Sequence, residues 1–333
     1  MDGGCRCVLA GYFFEPLAVT PGATRLQLPI KKLLLVLGAV GTAYAAALLV
    51  WGGQPDVLLA SLSVLWSGVG LQAVLLCLLN YVLRGARWRL WMAHHGRHFS
   101  WLDGLRLYLS GYAFTPTPGN IGEAVRGLML AHQPLSARQS LAIFGAERLA
   151  DLLCLLLLCL PAMWWVVRHG DLALPRPLVL GLAGGGALVA TLLFGAAFKY
   201  RTQLLQRFEW LHQAWACLSV RPFTWFALTL VAWAAQGMAV WLLCRALGVH
   251  LQVLTAIGFY AVAMVAGAVS ALPAGLGGTE AVLAGLLMAQ SATPGEALVI
   301  TVLARLLTLW LAVAIGLAAL LYSAAIRRDI TLL

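Results

Sequence analysis

Apolar runs of about twenty residues, each long enough to cross a bilayer as a helix, recur along the chain between short polar breaks. They cover Leu33–Trp51, Val57–Val82, Gln139–Val167, Pro177–Phe198, Phe223–Leu247 and Ala297–Leu321. The one-on, one-off alternation of a barrel strand is absent, and a helix satisfies its own backbone within hydrocarbon. Two further apolar regions are interrupted. In the first, Trp101–Phe114 is too short to cross and runs into TPTPGNIGEAVRGLML at 115–130, with a short apolar helix expected over Ile121–Ala131. In the second, Leu251–Leu272 and Thr279–Gln290 flank ALPAGLGG. The pattern predicts an all-α polytopic membrane protein with six full spans and two re-entrant helical hairpins, at 101–131 and 251–290.

The two interruptions are alike. Pro118, Gly119, Asn120 and Gly122 break the helix just before Glu123, and Pro273, Gly275, Gly277 and Gly278 do so just before Glu280. Arg148 follows Glu123 by 25 residues, and Arg305 follows Glu280 by 25. Around each arginine the sequences align without a gap at an offset of 157, matching Ser136 with Thr293, Leu141 with Leu298 and Ile143 with Ile300. We read two copies of one unit, at 31–170 and 171–325, between cytoplasmic tails at 1–30 and 326–333. Three crossings per unit turn the second copy upside down, the inverted-repeat plan of transporters.

Composition agrees with this picture. The 333 residues are 62% hydrophobic and 10% charged, with a mean hydropathy of +0.89, whereas soluble chains carry about a quarter charged residues. The net charge of +10 does not indicate nucleic acid, because the basic residues sit at the ends of apolar runs. Most of the 22 Lys and Arg fall on one side of the proposed topology, which by the positive-inside bias is the cytoplasm. That orientation places both termini in the cytoplasm. Arg84, Arg87 and Arg89 alternate with Trp88 and Trp91, which reads as a helix end at headgroup depth. His94 and His95 are expected to be wet there. QRFEWLHQAW, at 206–215, reads as an interfacial amphipathic helix. Cys5 and Cys7 have no accompanying ligands, and the other cysteines read as small hydrophobes, so no metal or other cofactor is expected.

The candidate chemistry lies in the few charges at membrane depth. Glu147, Arg148 and Asp151 occur within one predicted span, each costing roughly 2.5 to 3.5 kcal/mol at the bilayer centre unless it faces inward and pairs. With Glu123, Glu280 and Arg305 they form the candidate substrate-binding set, and no residue is assigned a catalytic role. The helices that start at the two breaks would point unpaired amide groups at a shared central polar cavity. Guanidinium groups can grip a phosphate there with paired hydrogen bonds. The expected partners are therefore membrane lipids with anionic headgroups.

PGNIGEAVR, AERLAD, PAGLGGTEA and LARL, in this order, resemble the lysylphosphatidylglycerol synthetase transmembrane-region family over roughly residues 33–324. That family includes the lipid-flipping half of the bacterial multiple peptide resistance factor and stand-alone members linked to hopanoid and polyprenyl-lipid traffic. The resemblance implies lipid transport in a bacterial cytoplasmic (inner) membrane, with Glu123, Arg126, Glu147, Arg148, Asp151, Glu280 and Arg305 as the substrate-binding polar set and a lipid-synthesising enzyme encoded separately. No soluble synthetase domain follows the last span, so lysyl transfer is not expected. A homodimer is compatible with this plan.

Two other classes remain open at this point. A secondary transporter for a small anion or a proton-coupled solute would use the same hairpins around a site closed to lipid. A membrane-embedded lipid-modifying transferase would need acidic metal ligands near one face or a donor-binding domain. Neither stands out in the sequence.

Overall fold

The computed structural model describes residues 62–128, 130, 134–169, 209–270 and 272–325, together with Gly38, Gly41, Thr42 and Lys199. The rest of the expected span at 33–51, the expected span at 177–198 and both tails lie outside them. The described chain is helical throughout. Its principal α-helices are α1 (Gly68–His94), α2 (Trp101–Ser110), α3 (Ala137–Leu158), α4 (Leu160–His169), α5 (Glu209–Ser219), α6 (Pro222–Ala246), α7 (Val253–Val269), α8 (Gly278–Ala289), α9 (Pro294–Arg305) and α10 (Leu311–Ala325).

Four continuous helical stretches among the described residues are long and apolar enough to cross a membrane: Gly68–His94, Ala137–Arg168, Pro222–Ala246 and Pro294–Ser323. Their outer faces carry large apolar side chains in the open. Leu71, Leu75 and Leu79 form an exposed row at helical spacing on α1, and Leu149, Leu152, Leu153, Leu156 and Leu157 do the same on α3. Water would penalise such stripes, and hydrocarbon does not.

Local chemistry sets the helix starts. Ser67 Oγ accepts from Gly70 N at 3.2 Å and Ser100 Oγ from Asp103 N at 3.1 Å. Ser136 with Gln139, and Thr293 with Glu296, form reciprocal capping boxes at the heads of α3 and α9. The 157-residue correspondence thus extends to matched caps. The breaks α1–α2 (95–100) and α6–α7 (247–252) also match in length, each with a left-handed glycine, Gly96 and Gly248.

Packing crosses between the two halves of the sequence. α1 lies along α6, joined where Asn80 Nδ2 donates to the Ala232 carbonyl at 2.8 Å. α2 and the 3₁₀ turn Gly111–Phe114 rest on α10, while α7 rests on α3 and α4. Between α9 and α10 the helix widens to a π-turn at Leu306–Trp310. The Tyr81 hydroxyl donates to the Leu307 carbonyl there at 3.0 Å.

Both expected interruptions are present. Pro118–Ala124 is a 3₁₀ segment followed by a single α-turn at Val125–Leu128, and Pro273–Gly275 is a 3₁₀ turn leading into α8. Asn120, Ala274, Gly275 and Gly277 all have positive φ. The two broken segments pack against each other. The first returning limb corrects the sequence reading: where an apolar helix was expected over Ile121–Ala131, Pro118, Gly119 and the left-handed Asn120 hold the chain in a 3₁₀ coil up to Ala124. Of the expected amphipathic helix at 206–215, the described residues from Glu209 on belong to α5, which packs on α3, and 206–208 lie outside the described residues.

Candidate functional site: a buried ionic centre

The centre of the described fold holds a cluster of charges contributed by α1, the first broken segment and α3. Asp151 on α3 organises it. Its Oδ2 accepts from Arg84 Nη2 at 2.9 Å, and its Oδ1 accepts from Arg87 Nη1 at 2.7 Å and Trp233 Nε1 at 3.2 Å. Arg148, one turn earlier on α3, stands 3.2 Å from Asp151 Oδ2 and 3.4 Å from Glu123 Oε2. Glu123 also accepts from Thr115 Oγ1 at 3.0 Å. Arg126 pairs with Glu147 and lies 3.8 Å from Glu123.

Aromatic rings wall the centre. Arg84 lies 5.2 Å from the Trp233 ring and Arg126 lies 4.6 Å from the Tyr108 ring. Arg84 Nη1 also donates to the Tyr112 hydroxyl at 3.3 Å. Such contacts favour a cation where water is excluded.

Arg84 and Arg87 overturn an expectation. They were assigned to lipid headgroups together with Arg89, yet Arg87 is 0% exposed and Arg84 6%. The physical reason is that α1 continues unbroken to His94 and that residues three apart share a helix face. Arg84 and Arg87 therefore turn together toward Asp151, while Arg89, two positions on, turns away. That spacing was the signal available in the sequence. Nothing in the sequence indicated Trp233, Thr229, Tyr108 or Tyr112, which reach the centre from distant positions. His95 is also less wet than expected: its Nε2 lies 3.3 Å from Cys217 Sγ. Burial pushes that thiol up to about 12.

The correction changes the charge balance. Among the described residues, four arginines, 84, 87, 126 and 148, face three carboxylates, Glu123, Glu147 and Asp151, leaving one positive charge in excess. Arg84 Nε, Arg87 Nε and Nη2, Arg126 Nη1 and Arg148 Nε are buried without hydrogen-bond partners among these residues, as is Glu147 Oε1. Arg148 is the opening of the cluster, with its side chain 30% exposed and the side chains of Glu123 and Asp151 at 2% and 6%. Beside Arg126 and Glu147 the open volume is about 10 Å³, room for about one water. The ionic groups at this point are packed against one another instead of lining a wide cavity.

A second, smaller centre lies at the other break. Arg305 Nε donates to Glu280 Oε1 at 2.7 Å, and its Nη2 donates to the Ala274 carbonyl at 2.8 Å. Glu280 Oε2 accepts from the Gly277 backbone N–H at 2.8 Å. The start of α8 is thus capped by the protein's own carboxylate, where an open anion site was expected. The corresponding start at Pro118–Gly119 belongs to a 3₁₀ segment, so it carries no long helix dipole.

Apolar outer faces, interrupted helices in contact and an arginine-rich core define a helical integral membrane protein with a buried ionic centre. The chain belongs to the Lysylphosphatidylglycerol synthase TM region family, whose model matches residues 33–316. No curated protein matches it.

Proposed function

We propose that this protein moves a lipid with an anionic headgroup, of the phospholipid, polyprenyl-phosphate or hopanoid type, across the bacterial cytoplasmic membrane, and that it is a transporter and not an enzyme. The observation that carries this reading is Arg148. It is the partly exposed member of a centre with one excess positive charge and several unpartnered guanidinium N–H groups. An entering phosphate or carboxylate would compensate that charge and occupy those donors. Arg148 would hand its carboxylate contacts to the ligand, while Arg84 and Arg87 hold Asp151 in place. Because the described centre is closely packed, transport requires the two broken segments to move relative to each other.

An inverted repeat supports this mechanism. Glu123–Arg148 and Glu280–Arg305 are in contact at equal sequence separation, α3 and α9 begin with matched capping boxes, and each half rests a helix of its hairpin on the last helix of the other. With three crossings per unit, the first break opens to the cytoplasm and the second to the outside. Cysteine labelling from each side tests this: positions beside Pro118 react from the cytoplasm and those beside Pro273 from outside.

The decisive experiment is scrambling of labelled lipids in proteoliposomes. The wild type is expected to move anionic lipids, and Arg148→Ala to lose this while remaining folded by size-exclusion chromatography. Unchanged transport in Arg148→Ala would overturn the role of this centre. Flux of a small anion without lipid movement would replace the lipid reading with a secondary transporter.

A further inference from the structure

A second basic site lies away from the ionic centre, where α1 ends. A cleft of about 530 Å³ opens between the last turns of α1, the α1–α2 connection and the α5–α6 turn. Its size falls in the range of small-ligand sites. Arg89, His94, His98 and Arg221 line it together with the apolar Leu90 and Phe99, and no carboxylate is among its lining residues.

The Arg89 side chain and the Arg221 backbone are each constrained. Arg89 Nε donates to the Phe99 carbonyl at 3.1 Å, and the guanidinium lies 5.5 Å from the Trp101 ring. This fixes the plane of the group and leaves both terminal nitrogens without hydrogen-bond partners among the described residues. Arg221 occupies the left-handed region at φ 46°, ψ 61°, immediately before Pro222. A non-glycine residue there is strained, and Pro222 disfavours the right-handed helical conformation for it. Ala86, Leu90, Ala93, Phe99 and Val220 make the rest of the lining apolar. A cleft with basic groups set in apolar walls suits a ligand that has a phosphate at one end and hydrocarbon at the other.

We infer that this cleft binds the phosphate of a membrane lipid headgroup, with Arg89 and Arg221 as the principal donors, His94 and His98 beside them, and Leu90, Phe99 and Val220 against the start of the acyl chains. The site is separate from the ionic centre, since Arg84 and Arg87 on the same helix turn to Asp151. It does not depend on the transport reading.

The test is binding of dioctanoyl phosphatidic acid to the detergent-solubilised full chain, with dioctanoylglycerol and inorganic phosphate as competitors. The wild type is expected to bind the phosphatidic acid and Arg89→Gln/Arg221→Gln to bind it about tenfold more weakly or worse, from the loss of charge-assisted hydrogen bonds. Arg245→Gln at the far end of α6, which removes one charge as Arg221→Gln does, is expected to bind as the wild type does. If the double variant misfolds, Arg221→Gln alone, whose side chain is exposed, must still weaken binding. Unchanged affinity in the folded arginine variants would overturn the site. Inorganic phosphate competing as well as the lipid would make it a free-anion site, and dioctanoylglycerol competing as well would make it an apolar groove. Either result rejects the assignment.

Discussion

Arg305 donates to Glu280 across 2.7 Å, and the two residues are as far apart in sequence as Arg148 and Glu123, which also meet. The arrangements differ in rigidity. Arg305 is fixed twice, by Glu280 and by the carbonyl of left-handed Ala274, so it ties α9 to the second break. Arg148 shares a looser contact of 3.4 Å with Glu123 and remains partly exposed. The second break is therefore the firmer of the two, and the first is the better candidate for a ligand-responsive element.

Removing either partner of the tie should not cost the same. Glu280→Gln leaves Arg305, 2% exposed, with only a carbonyl partner, and a loss of about 3 kcal/mol is expected, as for breaking a buried pair. Arg305→Met leaves Glu280 partly exposed and still capped by Gly277, so its cost should be smaller. The double variant should be less destabilised than the sum of the two, with a coupling of about 0.5 to 3 kcal/mol. Thermal unfolding in detergent reads all three.

Asp151→Asn removes the only carboxylate that contacts Arg84 and Arg87 among the described residues. Both cations are buried, and we expect about 3 to 5 kcal/mol of destabilisation. Asp103→Asn disrupts an exposed pair with Arg106 and should cost no more than about 1 kcal/mol. Comparable melting temperatures for the two variants would contradict the organising role of Asp151.

Gly316 lies where the first hairpin rests on α10. A Cβ added there would meet the Ala113 backbone nitrogen at 2.5 Å, and backbone cannot rotate away. Gly316→Ala should cost about 1 to 3 kcal/mol through overpacking. In α8, a Cβ at Gly285 meets nothing within 4 Å, so Gly285→Ala should be stabilising by roughly 0.5 to 1 kcal/mol. Opposite shifts in melting temperature would check both.

His95, just past the end of α1, has its pKa lowered from the ordinary 6.5 by burial first, then by the neighbouring His94 and Arg97. The folded protein thus takes up this proton less readily than the unfolded chain. The group costs no stability at pH values well above 6.5, and its penalty grows as the pH falls through about 6.5 toward the folded value. His95→Gln should flatten the acid-side decline in melting temperature between about pH 7.5 and 5.5. An identical decline in the variant would exclude this contribution.

The sequence alone determined the class of protein, the presence of four long apolar helices, both helix breaks and the Glu–Arg pairs 25 residues apart, although α1 runs over Gly68–His94 where a span was expected over Val57–Val82. Those features rest on local signals: run length, helix breakers, capping residues and fixed spacing. The partners of the charges were decided only by tertiary structure. Whether Arg84 meets a headgroup or Asp151 depends on how far α1 continues and which face it turns to α3 and α6, contacts 67 residues away for Asp151 and 152 away for Asn80 and Ala232. A charge at membrane depth must find a counter-charge, but its sequence does not say which one. Folding settled that, and in doing so turned a carboxylate-rich candidate site into one with an arginine to spare.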